Sequence, residues 1–138
     1  MAPTFRHAKD AFFSLTSATG GTITCSSGFD DLALKRTVDT AEVTTYAEDD
    51  KVYLAGLRDG TIPFAGNFSS THEKKFAALL GHSTRPTFIY GPESNSTGRR
   101  KYTGKSILTS LDVSSPIGGR IAVAGTLQLS GAITSTVF

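Results

Sequence analysis

The fold is decided by one alternating stretch of sequence, Ile121-Ala122-Val123-Ala124-Gly125-Thr126-Leu127-Gln128-Leu129-Ser130. Its odd-numbered positions are apolar apart from Gly125, and its even-numbered positions are small or polar. A period of two is typical of a strand that buries one face and leaves the other in water. The stretch therefore predicts a half-buried antiparallel strand.

Other segments extend this β-rich pattern in both directions along the chain. Phe12, Phe13, Leu15, Ile23 and Cys25 flank Thr19-Gly20-Gly21, which predicts an N-terminal hairpin. Ile62, Phe64 and Phe68 predict a strand in which Pro63 lies at an edge or a bulge. Further strands are predicted at residues 32–36, 42–46, 87–90 and 102–113, and a hairpin turn is predicted at residues 116–119.

One segment has helical spacing instead. Ser70 and Glu73 match a capping box, with Ser70 as the predicted N-cap. Phe76, Ala77, Leu79 and Leu80 follow at helical spacing, and Gly81 is placed to end the helix in a left-handed conformation. The sequence therefore predicts a mainly β domain, a β-sandwich or barrel-like fold, with one flanking α-helix.

Length and composition support one domain. The 138 residues include 19 Thr, 15 Ser and 14 Gly, which suits strands and turns, and they can bury one core. We expect a single domain over residues 1–138, with an N-terminal arm at about 1–10. Residues 133–138 either extend the last strand or form a C-terminal arm. No apolar run reaches the length of a membrane span, and we expect no export signal and no membrane binding by this chain.

Candidate catalytic and metal-binding residues are sparse. His72 and His82 lie ten positions apart, which is not the i, i+4 spacing of a helical zinc site, and His7 is distant in sequence. The single cysteine, Cys25, has no catalytic signature around it and excludes an internal disulfide. We therefore expect no enzymatic activity, no metal and no cofactor.

Charge is distributed unevenly along the chain. Residues 1–50 carry a net charge of −4, whereas residues 51–138 carry +6. Such polarity favours head-to-tail self-association if the two signs emerge on different faces, and chance clustering on a solvated surface is the alternative. The densest basic cluster, 99–101, is narrower than the basic stripe of a dedicated nucleic-acid binder.

Several segments, read in order, resemble the major tail tube protein of long non-contractile-tailed bacteriophages, particularly those of actinobacterial hosts. The segments that carry this resemblance are His7-Ala8-Lys9-Asp10-Ala11-Phe12-Phe13, Asp39-Thr40-Ala41-Glu42-Val43-Thr44-Thr45-Tyr46, residues 51–60, Phe88-Ile89-Tyr90-Gly91-Pro92-Glu93, residues 101–110 and Val113-Ser114-Ser115-Pro116-Ile117-Gly118. They span most of the chain in the family's order.

The resemblance implies a structural role in the virion tail. Proteins of that family close into hexameric rings, and the rings stack into a tube through which the genome passes. The implied partners are other copies of the chain, a tape-measure protein and other tail proteins, with viral DNA only as passing cargo. The implied place of assembly is the host cytoplasm. Tube lumens in the family tend to be acidic, whereas this chain is net basic.

The segment from Asp39 to Gly60 is too charged to lie in a core, and we expect it to project and pack on an adjacent subunit. The acidic residues near its middle are expected to meet the basic cluster of that neighbour. The interface candidates are Glu48, Asp49, Asp50, Lys51, Arg58, Arg99, Arg100 and Lys101. A β-sandwich binding module or a capsid-decoration protein remains the alternative function. An electron micrograph of the concentrated protein separates the two.

Overall fold

The computed structural model describes residues 3–17, 21–24, 28–80 and 85–138. Eight strands, one helix and one short 3-10 turn follow in chain order within those residues. They are the 3-10 turn (Ala8–Asp10), β1 (Phe12–Ser17), β2 (Gly21–Thr24), β3 (Phe29–Leu32), β4 (Lys35–Glu42), β5 (Tyr53–Asn67), α1 (Ser70–Leu79), β6 (Thr87–Gly91), β7 (Arg100–Ser114) and β8 (Ala122–Val137). The expectations for Thr19-Gly20, Cys25, Gly81 and His82 lie outside the described residues.

The strands form one antiparallel sheet in the order β2-β1-β6-β7-β8-β5-β3, and β4 is a further partner of β5. The sheet curls into a half-barrel. This arrangement confirms the predicted mainly β, barrel-like fold with one flanking helix. No described helix is long and apolar enough to span a membrane.

The alternating stretch lies in β8 as predicted, except for Ile121, which precedes the strand and is exposed. Val123, Gly125, Leu127 and Leu129 are buried, while the residues between them are only partly buried. β8 then continues beside β7 as far as Val137, which pairs with Arg100. Residues 133–137 therefore extend the last strand, because the start of β7 supplies a pairing partner.

The predicted bounds of two strands were wrong. The single strand predicted at 32–36 is divided, because β3 ends at Leu32 and β4 begins at Lys35. Of the strand predicted at 42–46, residues 43–46 lie beyond the end of β4. Pro63 explains the interruption. Its carbonyl accepts a hydrogen bond from the Ala33 amide at 3.3 Å, so its backbone faces β3 and β4, where proline has no N–H to donate. Pro63 lies in an interior strand rather than at an edge, and the irregularity lies in the strands opposite it.

The helix occupies the predicted segment, but its N-cap differs. Ser69, not Ser70, is the N-cap, because Ser69 is the last residue with extended backbone (φ −136°, ψ 124°). Its carbonyl accepts the first helical bond from the Glu73 amide at 2.8 Å, while its side chain makes no capping hydrogen bond. The capping box centred on Ser70 is therefore wrong.

The core lies between the concave face of the sheet and α1. Phe76 of the helix stacks on Phe29 and Phe64, with ring centroids 6.0 and 5.5 Å away. The buried apolar residues of this core cluster are Phe13, Leu15, Ile23, Ile62, Phe64, Phe76, Leu79, Phe88, Leu108, Leu127 and Leu129. At the edge of this cluster, burial raises the pKa of the Tyr90 phenol above its ordinary value of 10.0, and the nearby Tyr102 adds to the rise. Tyr90 therefore stays protonated at neutral pH.

The predicted turn between the last two strands is confirmed. The Gly119 amide donates to the Pro116 carbonyl at 3.2 Å, and Gly118 has a φ of +80°. A turn with Pro at its first position and a left-handed residue at its third matches type II geometry, which requires glycine at that third position.

Candidate subunit interface

A two-stranded hairpin, residues 35–59, projects from the rest of the molecule. It consists of β4, the first half of β5 and the loop between them, and every one of its residues is exposed. β5 pairs with β8 only from Thr61 onward, so its first half leaves the sheet. The expectation that the segment after Asp39 projects is thus met by the structure.

The root of the hairpin is held by a small hydrogen-bonded cluster. The Gln128 amide nitrogen Nε2 donates to Asp59 Oδ1 at 2.6 Å and to the Gly60 carbonyl at 3.1 Å. The Gly60 amide donates to the same Asp59 oxygen at 2.8 Å. The side chains of Asp59 and Gln128 thus satisfy the N–H and C=O groups of Gly60, which would otherwise pair with the backbone of β8. This root cluster ends the ladder and directs the hairpin away from β8.

Space at Gly60 is also restricted. A Cβ atom at this position would lie 2.8 Å from the Lys35 carbonyl oxygen and 2.9 Å from the Leu129 side chain. The close approach of β4 and β8 to this backbone therefore requires a residue without a side chain. Gly60 marks the boundary at which β5 changes from a free ribbon strand to a core strand.

Apolar side chains cover much of the hairpin. Leu57 is 80% exposed, and the other exposed apolar residues of the segment are Val38, Val43, Tyr46, Val52, Tyr53 and Leu54. Monomeric proteins rarely expose many large apolar groups side by side, and such patches mark interaction sites. The sequence interpretation chose only charged residues and missed these. The run Val52-Tyr53-Leu54 within a segment already judged to lie outside the core was the available signal.

The acidic candidates lie at the tip of the hairpin. The Glu48 carboxylate accepts a hydrogen bond from the Thr45 amide at 3.0 Å, and the Glu48 amide donates to the Thr45 carbonyl at 3.1 Å. These two bonds close the loop that presents Asp49 and Asp50 to solvent. Lys51 follows directly at the tip. Local hydrogen bonds therefore order the tip without neutralising its charge.

The basic candidates lie at the start of β7, at the same end of the sheet as the tip. Arg100 pairs with Val137, at the end of β8 towards which the hairpin also points. The Arg100 guanidinium donates to Ser135 Oγ at 3.0 Å, and the Lys101 ammonium lies 5.5 Å from the centre of the Phe138 ring. Both side chains are thus positioned by neutral partners and keep their charge available.

The structure does not bring the acidic and basic candidates together within one chain. In the part of the chain that is described, the ion pairs are Arg6–Glu93 at 3.5 Å and Arg120–Asp30 at 2.6 Å. Neither pair includes a candidate residue. Arg58 lies near the hairpin root, opposite Val38 and well away from the tip.

The N-terminal segment lies against the loop between β6 and β7. Arg6 reaches Glu93 of that loop, and His7 Nδ1 accepts a hydrogen bond from the Lys9 amide at 3.0 Å. The next turn, Ala8–Asp10, has no buried residue, and Phe5 is 88% exposed. The segment therefore rests on the surface of the molecule with few anchoring contacts.

Comparison with known proteins gives consistent structural neighbours. No family model and no curated protein matches the chain in sequence. A protein from the tail of an empty gene transfer agent particle, refined with C6 symmetry, matches with a TM-score of 0.82 at 19% identity, over 96% of this chain and 100% of that chain. The SPP1 tail tube matches with a TM-score of 0.73 at 11% identity, over 97% and 80%. The baseplate of the anti-feeding prophage contains a match with a TM-score of 0.74 at 10% identity, over 99% and 97%.

These neighbours align with nearly the whole length of this chain. Their identities are low, so the likeness concerns the backbone and not particular side chains. It confirms the fold that the sequence resemblance implied. The chain has the fold of tail tube proteins.

Proposed function

We propose that this chain is a structural subunit of a phage-type tail tube. Six copies form a ring, and stacked rings form the conduit through which the genome leaves the virion. One observation carries the proposal: the subunit of a C6-symmetric tail aligns over all of its own length and 96% of this chain. A match of that extent leaves almost no segment free for a separate function.

The exposed hairpin supports self-association. It carries seven large apolar residues and an acidic tip on a ribbon in which every residue from 35 to 59 is exposed. Burying such groups against a neighbour removes apolar area from water, which is the dominant favourable term in most protein association. A subunit that is always surrounded by copies of itself gains most from this arrangement.

The outer face of the sheet suits the wall of a conduit. Cross-strand pairs line up Thr22, Thr16, Thr87 and Lys105 in one row. The Thr16 and Thr22 hydroxyls are 3.2 Å apart, and the Lys105 ammonium donates to Thr87 Oγ1 at 2.8 Å. Small hydroxyl side chains give a low, polar surface, and one bound lysine in the row is far from the basic stripe that retains DNA. We infer that DNA is passing cargo here.

The same reasoning gives a non-enzymatic role with protein partners. We infer contacts with other copies of the chain, a tape-measure protein and other tail proteins, in a virion tail assembled in the host cytoplasm. The support is the tail-tube fold, whose solved neighbours are parts of such particles. This chain itself is inferred not to bind membranes.

We also propose that Glu48, Asp49 and Asp50 meet Arg99, Arg100 and Lys101 of a neighbour. The support is that both groups are charged, have no ion-pair partner among the described residues of their own chain, and lie at the same end of the sheet. Groups at the same end meet most directly between side-by-side subunits of one ring. Lys51 and Arg58 flank the acidic tip and the hairpin root and belong to the same surface.

Negative-stain electron microscopy of the purified, concentrated protein tests the proposed function. We expect rings with sixfold symmetry or hollow tubes. The matched control is Leu57→Ser, which replaces an exposed side chain and should keep the subunit folded while reducing assembly. Wild-type protein that stays as separate monomers at every concentration would contradict the proposal.

A further inference from the structure

The hairpin has two unpaired strand edges. β4 pairs only with β5, so the other edge of all eight β4 residues has no strand beside it in the part of the chain that is described. β5 joins β8 only at Thr61, so the seven residues 53–59 also have one unpaired edge. The two edges lie on opposite sides of the same ribbon.

Unpaired edges of this kind template further strand pairing, and proteins that stay monomeric usually block them with proline, bulges or a covering element. No proline occurs between residues 35 and 62. The root cluster satisfies the backbone of Gly60 and goes no further along β5. The hairpin has one irregularity: the pairs Val38–Arg58 and Thr40–Ala55 leave one extra residue on β5 between them. Apart from this bulge, both edges of the ribbon are open among the described residues, and an isolated two-stranded ribbon is marginally stable alone.

A groove of about 960 Å³ lies between the hairpin and β8, and residues of β4, of β5 and of β8 line it. Its walls carry Arg36, Val38, Leu57 and Arg58, and Leu129 lies at its base. Asp59, the acidic residue of this lining, already accepts two hydrogen bonds in the root cluster. A strand that is extended and partly apolar, with carboxylates towards one end, fits this groove. β4 is such a strand: Asp39 and Glu42 lie in its second half, whereas its basic residues Lys35 and Arg36 lie at its start.

We propose that β4 of one copy pairs, antiparallel, with the free edge of β5 in the next copy, inside this groove. The inference rests on the proposed function and names the strands that join neighbours in a ring. The two edges have matching lengths, eight and seven residues. Within the chain, Val38 of β4 is paired with Arg58 of β5. If neighbouring copies pair in nearly the same register, Asp39 of one copy lies beside Arg58 of the next. Two different edges make a head-to-tail contact, and such a contact closes into a ring when the rotation between neighbouring copies is one sixth of a turn.

The hydrogen-bond pattern shows which amides are available. The N–H and C=O groups of Gly60 point towards β8 and not towards β4. Gly60 and Arg36 therefore form a non-hydrogen-bonded pair of the β4–β5 ladder, and the Arg36 amide points to the outer edge of β4. The Val43 amide donates to Val52, so it points inward. Successive amides of a strand point alternately to its two edges, so the Thr40 amide, three positions before Val43, points to the outer edge of β4. Ala55 pairs with Thr40, so its amide points to the free edge of β5.

Two proline substitutions use this geometry. Thr40→Pro removes one outward N–H from β4, and Ala55→Pro removes one from β5, while neither amide serves the β4–β5 ladder. The controls Thr40→Ser and Ala55→Ser keep both amides. We expect each proline variant to remain a folded monomer at concentrations at which both controls form rings. An equimolar mixture of the two proline variants should give dimers in sedimentation velocity, because each supplies the edge that the other lacks.

Hydrogen exchange in the wild-type protein provides a measurement that does not depend on the folding of a variant. Amides of residues 36–42 should become protected when subunits assemble. Unchanged exchange there, normal rings from Thr40→Pro, or a mixture that stays monomeric would each overturn the proposed pairing while leaving the tube function standing. Failure of the wild type and both serine controls to form rings would instead overturn the proposed function.

Discussion

The two halves of β5 differ although they belong to one strand. From Tyr53 to Asp59 every residue is exposed, whereas from Gly60 to Gly66 buried residues alternate with partly buried ones. The second half has β8 on one side and α1 over its inner face, and the first half has only β4. Strand pairing alone therefore does not bury a side chain, because burial needs a second layer above the sheet.

The same comparison explains the apolar residues of the hairpin. In the body, Ile62 and Phe64 are buried by their own chain, whereas Tyr53 and Leu57 project into solvent. If copies of the chain supply the missing layer, the hairpin becomes the part of the molecule whose core is intermolecular. Mutations in the body should then act on folding, and mutations in the hairpin should act on assembly.

The largest expected effect separates a body residue from a hairpin residue. Phe88 is 0% exposed, and Phe88→Ala should lower the free energy of unfolding by about 3–5 kcal/mol. Leu57→Ala should change it by less than about 0.5 kcal/mol but reduce assembly. Urea denaturation of unassembled protein measures the first quantity, and sedimentation measures the second. Equal losses of stability in the two variants would show that the hairpin belongs to the folded core.

A second test concerns the boundary between the two halves. Gly60→Ala places a Cβ 2.8 Å from the Lys35 carbonyl oxygen and should lower the free energy of unfolding by about 1–3 kcal/mol. Gly56→Ala, whose Cβ would lie 3.2 Å from the Asp39 carbonyl oxygen, is the matched control within the hairpin and should lower the free energy of unfolding by less. Thermal melts compare the two. A larger loss for Gly56→Ala would mean that the root is not the tightest point of the hairpin.

A third test addresses the charged tip. Replacing Glu48, Asp49 and Asp50 by Lys should weaken assembly, because each exposed ion pair contributes about 0.2–1 kcal/mol and the contact repeats around a ring. Reversing Arg99 and Arg100 to Glu in the same chain should restore part of it. Assembly should also weaken in about 1 M salt, where screening shortens to about 3 Å.

Light scattering across a salt series measures this assembly. If the triple reversal assembles as the wild type does in low salt, the tip has no interface role. If it blocks assembly and the second reversal restores nothing, the tip contacts a different surface of the neighbour.

The smallest expected effect lies at the start of α1, in the body. Ser69 occupies the N-cap position but makes no side-chain hydrogen bond there. Ser69→Ala and Ser70→Ala should therefore each change the free energy of unfolding by less than about 0.5 kcal/mol, below the typical cost of losing a bonded cap. Thermal melts of the unassembled protein measure both. A loss above 1 kcal/mol for Ser70→Ala alone would restore the capping box that the sequence suggested.

The parts that could be predicted from the sequence depend on local periodicity and composition. The alternation around Leu127 identified the face that β8 buries. Of the four apolar positions at helical spacing, Phe76 and Leu79 are buried, whereas Ala77 and Leu80 are exposed. The density of charge after Asp39 identified a segment outside the core, as the exposure of the hairpin shows. Each of these signals is contained in about ten neighbouring residues. The apolar pattern is the same whether the face is buried by the chain itself or by another molecule.

Tertiary structure alone decided where pairing stops and what remains uncovered. β3 and β4 separate opposite Pro63, and β5 leaves β8 where Gln128 reaches Asp59, which lies 69 positions away in the sequence. No local pattern around Asp59 indicates that distant amide, so the direction of the hairpin could not be read from the sequence. The apolar residues of the hairpin look like core residues until the fold leaves them without a second layer. Periodicity encodes which face of a strand prefers burial, whereas the packing of distant strands determines whether its own chain buries it.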